Sequence, residues 1–484
     1  MLNPVKFGTS GHRGIINETF TIAHVKAISY AVATLLKKKH NSVKLVIGYD
    51  PRKGNSTQLE DHSFTKVIVD TLLNQGVDVD FYNIPVPTPL ISKHINVFNS
   101  NGGLILTASH NPPEYNGIKF NPENGAPAPE NITIEIEKIA NTVLEKELIP
   151  AEKKGTLKIL NTTDWFTKQC IKMLSKWFFN VSLKNISVAC DTKHGTCARV
   201  WKELLRELSI SNFEILHEEN RSDFGGIEPN PTHAEGLSKF KSYIKKQKKH
   251  LGISNDPDGD RFSIIDNQGS QLIPEEATAI IVHYLVQKNM PISGIVTTVA
   301  SSGLIKSICN KHQLLFFETA VGFKHFAPYF EKANIENKYM FGVESSGGLT
   351  VSKHTFEKCG FFPGLCLMYI LSETGKTLAE LKSEIIQLFG KFYFEETAVK
   401  FESTIRNTII QRLKNSSKVN LTNIFSNPIH SINQIDGLKI IFNETSWVLI
   451  RLSGTEPVAR IYSESLNQQE AVKNLNEAKS LLVV

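Results

Sequence analysis

The sequence predicts an α/β protein of several domains with largely parallel sheets, followed by a smaller C-terminal α+β domain. Three observations lead there. At 484 residues the chain exceeds what one core serves and suggests three or four domains. Short apolar runs alternate with longer segments of helical period. Clusters of ligand-type polar residues come directly after apolar runs, where α/β sheets place their binding loops.

In chain order, residues 43–48 read as a strand, 64–74 carry apolar residues at helical spacing, and 77–81 and 103–107 read as further strands. The runs at 186–190, 251–254, 295–299 and 314–317 continue the series. The tail differs. Residues 438–442, 447–451 and 459–462 form an expected antiparallel meander, and 469–482 an amphipathic helix. The polar stretch at Lys153-Lys154-Gly155 and the turn at Asn267-Gln268-Gly269 give expected domains at 1–155, 156–268, 269–390 and 391–484.

Composition narrows the class. Hydrophobic residues at 41% and charged residues at 21% fit a globular chain, not a disordered one. A net charge of +6 suits small anionic substrates without demanding nucleic acid. Lys37-Lys38-Lys39 and Lys245-Lys246 each close a helix-like stretch, where cations complement the helix dipole. The six cysteines contain no Cys-x-x-Cys pair, so neither zinc nor a disulfide framework is indicated. No apolar run approaches the ~18 residues of a membrane span, and the first residues lack a signal-peptide stretch. The expectation is a reduced, cytoplasmic protein with no membrane partner.

Two loops carry the chemistry. In Thr107-Ala108-Ser109-His110-Asn111-Pro112-Pro113 the prolines disfavour continued helix and expose a turn. Taken alone, Ser109 is an ordinary turn hydroxyl, and to act as a nucleophile it needs a base or an electrostatic trap. His110 stands beside it, and Lys119 follows on an expected strand. In Asp256-Pro257-Asp258-Gly259-Asp260-Arg261 a tight turn at Gly259 would converge three carboxylates. They would repel unless a cation sat among them, and all-oxygen ligation selects Mg²⁺, Ca²⁺ or Mn²⁺. An EF-hand would want Gly and Glu where Arg261 and Asn267 stand, so that reading fails.

Further loops bear a binding signature. Glu344-Ser345-Ser346 between glycines offers acceptors and donors for sugar hydroxyls. Arg451-Leu452-Ser453-Gly454-Thr455 combines an arginine with a glycine turn, an anion-site composition. The segment from Phe7 to Gly14, with Arg13, has the same flavour, and Lys324 and His325 add cationic or titratable groups. No Walker lysine or Rossmann glycine pattern is present, so a nucleotide is not implied.

In this order the loops resemble those of the α-D-phosphohexomutases, the phosphoglucomutase and phosphomannomutase family, over essentially the whole chain. The resemblance implies three similar α/β domains with mixed, largely parallel sheets and a distinct fourth, around one central active-site cleft. It implies a phosphoserine at Ser109 that joins Asp256, Asp258 and Asp260 around Mg²⁺. It places Arg13, His110, Lys119 and Arg261 around the transferring phosphoryl group, and Glu344, Ser346 and Lys324 near the sugar. Arg451, Ser453, Gly454 and Thr455 would hold the idle phosphate. The implied reaction interconverts hexose 1- and 6-phosphates of glucose or mannose through a 1,6-bisphosphate, with glucose 1,6-bisphosphate as activator, in a monomer or dimer.

Three departures stand out. Ser345 occupies a position where many glucose-type members carry a second glutamate. Lys358-Cys359-Gly360 replaces Lys-Asp-Gly, which leaves that position without the family's carboxylate. Gly195-Thr196-Cys197 resembles a glycine turn with a structural role. The rival readings are a metal-dependent sugar-phosphate phosphatase, a non-catalytic sugar-phosphate-binding protein, and a phosphoglucosamine mutase of the same family.

Overall fold

The computed structural model describes residues 2–8, 11–453 and 457–482. Four sheets follow one another along the chain. The first has the order His12–Ile15, Tyr115–Pro122, Gly102–Leu106, Lys44–Tyr49, Asp78–Tyr82, Leu157–Leu160. Its last four strands are parallel and its first two antiparallel. The strand Leu157–Leu160 lies beyond residue 155 yet pairs with Asp78–Tyr82, so the first sheet runs past the limit expected from sequence. The second sheet centres on the parallel strands Leu251–Asn255, Ser187–Asp191 and Asn212–Leu216. The third centres on Leu315–Thr319, Ile292–Thr298 and Tyr339–Glu344. The strands Ser187–Asp191, Leu251–Asn255 and Ile292–Thr298 are buried almost throughout and read as apolar runs, whereas the partly exposed edge strand Asn212–Leu216 escapes the sequence reading.

The fourth sheet is antiparallel throughout, in the order Tyr393–Lys400, Val458–Ser465, Ser446–Leu452, Leu438–Asn443, Ser431–Asn433, with the helix Gln468–Lys479 packed on it. The meander and its helix stand where the sequence puts them. The edge strand Tyr393–Lys400 escapes the sequence reading because Glu395 and Glu396 interrupt its apolar pattern.

One device recurs in all four units. A strand runs into a loop and returns as an antiparallel neighbour. Gly102–Leu106 returns as Tyr115–Pro122, Leu251–Asn255 as Phe262–Asp266, Tyr339–Glu344 as Gly348–Val351, and Ser446–Leu452 as Val458–Ser465. The serine, aspartate, sugar and phosphate loops are the four connections. Each is therefore anchored at both ends by ladder hydrogen bonds.

A single apolar core reaches through the first three units. It joins Ile91 and Ile95 of the first, Trp201 and Ile253 of the second, and Phe361 and Leu365 of the third. The helix Phe362–Thr374 is buried along almost its whole length, which explains its uninterrupted apolar sequence. The fourth unit has a core of its own. It meets the third through Trp447, Leu449 and Tyr462 packed on Val299 and Ala300. Polar contacts accompany this packing: Lys439 Nζ lies 2.6 Å from Glu318 Oε1, and Gly303 N donates to Glu464 Oε2 at 2.6 Å. All six cysteines are free and buried. Among the described residues no helix is long and apolar enough to cross a membrane.

Glu275, fully buried near this contact, accepts from Ser302 N at 3.1 Å. Burial raises its carboxyl from 4.5 to about 7. The folded state thus holds this proton more tightly than the unfolded one, and the stability it contributes is present at low pH and lost as pH rises through about 7. Glu275→Gln keeps an acceptor and removes the titration. Thermal unfolding should show the variant more stable than wild type by about 2–3 kcal/mol at pH 8 and near-equal at pH 4; an equal difference at both pH values would contradict this.

Candidate active site

The aspartate loop turns at Gly259, whose φ is +69°, and a side chain there would meet Cys197 Sγ at 2.7 Å. From the neighbouring strand end, Gly195 lies so close to Pro257 that a Cβ would fall 2.4 Å from its Cα, and Thr196 N donates to Pro257 O at 2.8 Å. The glycine turn singled out in the sequence thus cradles the aspartate loop. Inside that cradle Asp256, Asp258 and Asp260 are buried, with one ligand atom of each within 4.8 Å of the others.

Burial and mutual repulsion push the Asp256 carboxyl well above its ordinary range. Burial opposes ionisation of Asp258 and Asp260 too, but Lys119 prevails and holds both low, with Lys358 helping at Asp260. Lys119 Nζ stands 2.6 Å from Asp258 Oδ2 and 2.9 Å from Asp260 Oδ2, and Lys358 Nζ 3.4 Å from Asp260 Oδ2. Thr88 Oγ1, at the start of the helix Thr88–Val97, donates to Asp258 Oδ2 at 2.8 Å. Asp258 Oδ1 and Asp260 Oδ1 are buried without a hydrogen bond. Two such oxygens beside a carboxylate forced toward its neutral form fit a hard divalent cation held by all three aspartates.

Ser109 is delivered to this group from the first unit. Its Oγ donates to Asp256 Oδ2 at 2.7 Å across 147 positions of sequence, and it lies 3.3 Å from His110 Nδ1. Ser109 has φ +54°, a left-handed backbone that costs an L-residue about 1 kcal/mol. The His110 imidazole is pushed down to about 2 by burial and by Arg261 and Arg13, so it is neutral. Burial and Arg261 also lower Arg13, whose Nη1 donates to Asn111 Oδ1 at 2.8 Å. Arg261 N donates to Asp256 Oδ1 at 2.9 Å, and its Nε lies 3.9 Å from Asp260 Oδ1. The charges of Arg13, Arg261 and Lys119 all bear on the His110 imidazole beside Ser109, an arrangement that a doubly charged phosphoryl group would relieve.

Glu344 and Asp436, the latter paired with Arg451, meet on one short segment of the third unit. Val321 N donates to Asp436 Oδ2 at 2.9 Å, and the same oxygen takes Arg451 Nη2 at 2.7 Å. Gly322 N donates to Glu344 Oε1 at 3.1 Å. Lys324 Nζ reaches Glu130 Oε1 of the first unit at 2.9 Å. Ser346 is half-buried, and Ser345 Oγ donates to Ala300 O at 3.4 Å. Ser453 N donates to Val458 O at 2.8 Å, and Arg406 Nη2 donates to Ser453 O. Gly454 and Thr455 lie outside the described residues.

The structure thus gathers Ser109, His110, Lys119, Arg13, Arg261 and the three aspartates into one cluster. It places Glu344, Arg451 and Lys324 along the adjoining 321–324 segment, Lys324 engaged by Glu130. Sequence reasoning overlooked Thr88, which carries no local signal, and Glu357. The Glu357 carboxylate stands 3.4 Å from Lys358 Nζ and accepts from Asn121 Nδ2 at 3.3 Å. The lysine therefore keeps an acidic neighbour although Cys359 replaces the family's aspartate; Cys359 Sγ instead pairs with His354 Nε2 at 3.2 Å. Asp50 and Arg52, which directly follow the strand Lys44–Tyr49, were given no role by the sequence either.

Comparison with known proteins agrees with this architecture. Models of phosphoglucomutase/phosphomannomutase alpha/beta/alpha domains I, II and III match residues 4–147, 168–269 and 274–389, and the model of the C-terminal domain matches 407–479. The chain belongs to the phosphoglucomutase/phosphomannomutase family, an isomerase-class group of phosphotransferases. It is 30% identical over 481 residues to a phosphoglucomutase/phosphomannomutase of Thermococcus kodakarensis, covering 98% of both chains. It is 27% identical, at the same coverage, to a phosphoglucosamine/phosphogalactosamine mutase of Sulfurisphaera tokodaii. A Thermus thermophilus crystal structure assigned as a phosphomannomutase superposes with a TM-score of 0.81 at 25% identity over 100% of both chains. An Aspergillus fumigatus N-acetylphosphoglucosamine mutase, solved with GlcNAc-6P and magnesium, shares the fold at a TM-score of 0.53 and 13% identity, over 99% of this chain and 96% of that one.

Lys119 and a bound cation would neutralise the same carboxylates, Lys119 at the Oδ2 atoms of Asp258 and Asp260 and the cation at their Oδ1 atoms. Lys119→Met should lower the unfolding temperature in chelator, since breaking a buried ion pair costs about 3–5 kcal/mol. Saturating Mg²⁺ should then recover more stability in the variant than it adds to wild type. Equal Mg²⁺ shifts in calorimetry would contradict the shared role.

Proposed function

We propose that the protein interconverts hexose 1-phosphates and hexose 6-phosphates, of glucose or mannose, through a phosphoserine at Ser109 and a 1,6-bisphosphate intermediate. The observation that carries the reading is the 2.7 Å contact of Ser109 Oγ with Asp256, inside a buried trio of aspartates. Asp256, Asp258 and Asp260 would hold Mg²⁺, as the orphaned oxygens and the magnesium of the Aspergillus relative support. When bound, the ion supplies charge neutralisation to the transferring group.

The side chains divide the remaining work. Arg13, Arg261 and Lys119 hold the equatorial oxygens of the phosphoryl group between Ser109 and the sugar hydroxyl. His110, neutral at physiological pH, orients without adding charge. Glu344 and Ser346 receive the sugar hydroxyls, with Lys324 nearby. Arg451 and Ser453, together with Gly454 and Thr455, grip the phosphate that is not being transferred. Glucose 1,6-bisphosphate would prime Ser109. A phosphatase would need no second phosphate grip, so the Arg451 loop disfavours that reading. A glucosamine phosphate is the second reading, favoured by the Sulfurisphaera relative and by a Glu344 carboxylate able to accept from an ammonium as well as a hydroxyl.

Phosphorus NMR tests this with Mg²⁺, a trace of glucose 1,6-bisphosphate, and the 1-phosphates of glucose, mannose and glucosamine in separate tubes. Growth of a 6-phosphate signal in the glucose or mannose tube is expected. Ser109→Ala should lower the rate by a factor on the order of 10³ or more, and chelator should stop it until Mg²⁺ is restored. Conversion of glucosamine phosphate alone would favour the second reading. Inorganic phosphate alone, or full rate in chelator, would refute the mechanism.

A further inference from the structure

Asp50, Arg52 and Thr107 form a buried network behind Ser109 rather than beside its hydroxyl. The side chains of Asp50 and Arg52 are wholly buried, and Arg52 Nε donates to both carboxylate oxygens of Asp50 at 2.9 and 2.8 Å. Asp50 Oδ2 also accepts from Thr107 Oγ1 at 2.7 Å. Thr107 Oγ1 in turn accepts from Ser109 N at 2.8 Å. On the other side of the same residue, Arg52 Nη2 donates to Ser109 O at 2.7 Å, and its Nη1 to Tyr115 O at 2.7 Å.

Both peptide groups of Ser109 are therefore held by one network while its backbone stays at φ +54°. The loop's own turn bond around Ser109 runs from Asn111 N to Ala108 O at 3.1 Å, and the network adds a bond to each peptide group of the strained residue itself. The network also crosses between units. The Arg52 guanidinium lies 5.1 Å from the ring centroid of Phe224, which belongs to the segment after the second sheet's strand Asn212–Leu216. The aspartate loop leaves that same sheet. The serine is thus registered against the unit that carries its carboxylate partners.

We infer that Asp50, Arg52 and Thr107 are positioning residues that set the rate of phosphoryl transfer by fixing where Ser109 Oγ points, without touching the sugar phosphate. This rests on Ser109 being the phosphoryl carrier. Misplacing a reacting atom by about 1 Å can cost on the order of 10²-fold in rate, so a fixed Oγ direction is worth a buried ion pair.

Thr107→Val tests it, because it keeps the shape and removes the one hydroxyl that joins Asp50 to Ser109 N. Two readouts are taken on the full chain: hydrogen exchange of the peptide containing Ser109, and kcat and KM with the hexose phosphate that the wild type converts. Faster exchange, a kcat about 10- to 100-fold lower and a KM within about twofold of wild type are expected, with Thr107→Ser restoring all three. Unchanged exchange would overturn the inference, whatever the rate. So would a raised KM at constant kcat, which would make Thr107 a binding residue. If the wild type converts no hexose phosphate, the proposed function fails, and the exchange contrast alone then decides whether the network holds the loop.

Discussion

Three carboxylates buried within 4.8 Å of one another cannot stand uncompensated, and much of the molecule is arranged to meet that constraint. The second unit makes the acidic loop but supplies little of its charge balance. Lys119 comes from the first unit and Lys358 from the third, and both end on the same oxygen of Asp260. Each lysine needs its own sheet to place it, and the shared apolar core through Trp201 and Phe361 holds the three sheets in register. Packing and electrostatics are thus two views of one requirement.

The same requirement explains how a serine can be brought to an aspartate across 147 positions of sequence. The serine and aspartate loops are both hairpin connections, closed by ladder pairs at each side. Neither depends on a long flexible excursion. The Glu344 and Arg451 loops use the same construction, and Glu344 and Asp436, the partner of Arg451, take successive backbone amides of the 321–324 segment. The Arg451 loop, the proposed grip for the idle phosphate, therefore belongs to a unit with its own core, while the serine and aspartate loops stand on the common core of the other three.

The central parallel strands, unlike the partly exposed parallel edge strands Asn212–Leu216 and Leu157–Leu160, were legible in the sequence because both their faces are buried, and the loops because ligand-type residues follow those runs. Ser109, the three aspartates and the Arg451 loop were visible for that reason. The edge strand Tyr393–Lys400 was not, since a half-exposed strand with two glutamates carries no apolar alternation. Thr88 and Glu357 were invisible on other grounds. Their partners, Asp258 and Lys358 with Asn121, are decided by how separate sheets pack, and no local spacing records that. Cys359 illustrates the limit from the opposite side. Its motif marks a lost carboxylate, while the packed protein keeps one two residues earlier in the same loop, at Glu357.

The most direct test of the serine-to-aspartate hand-off is the phosphoryl occupancy of Ser109. The protein would be incubated with Mg²⁺ and glucose 1,6-bisphosphate, and its intact mass and fragment masses recorded before and after adding a hexose monophosphate. One phosphoryl group per chain, located on Ser109 and drawn off by a sugar it can convert, is the expected result. No added phosphoryl group, or one found on another side chain, would contradict it.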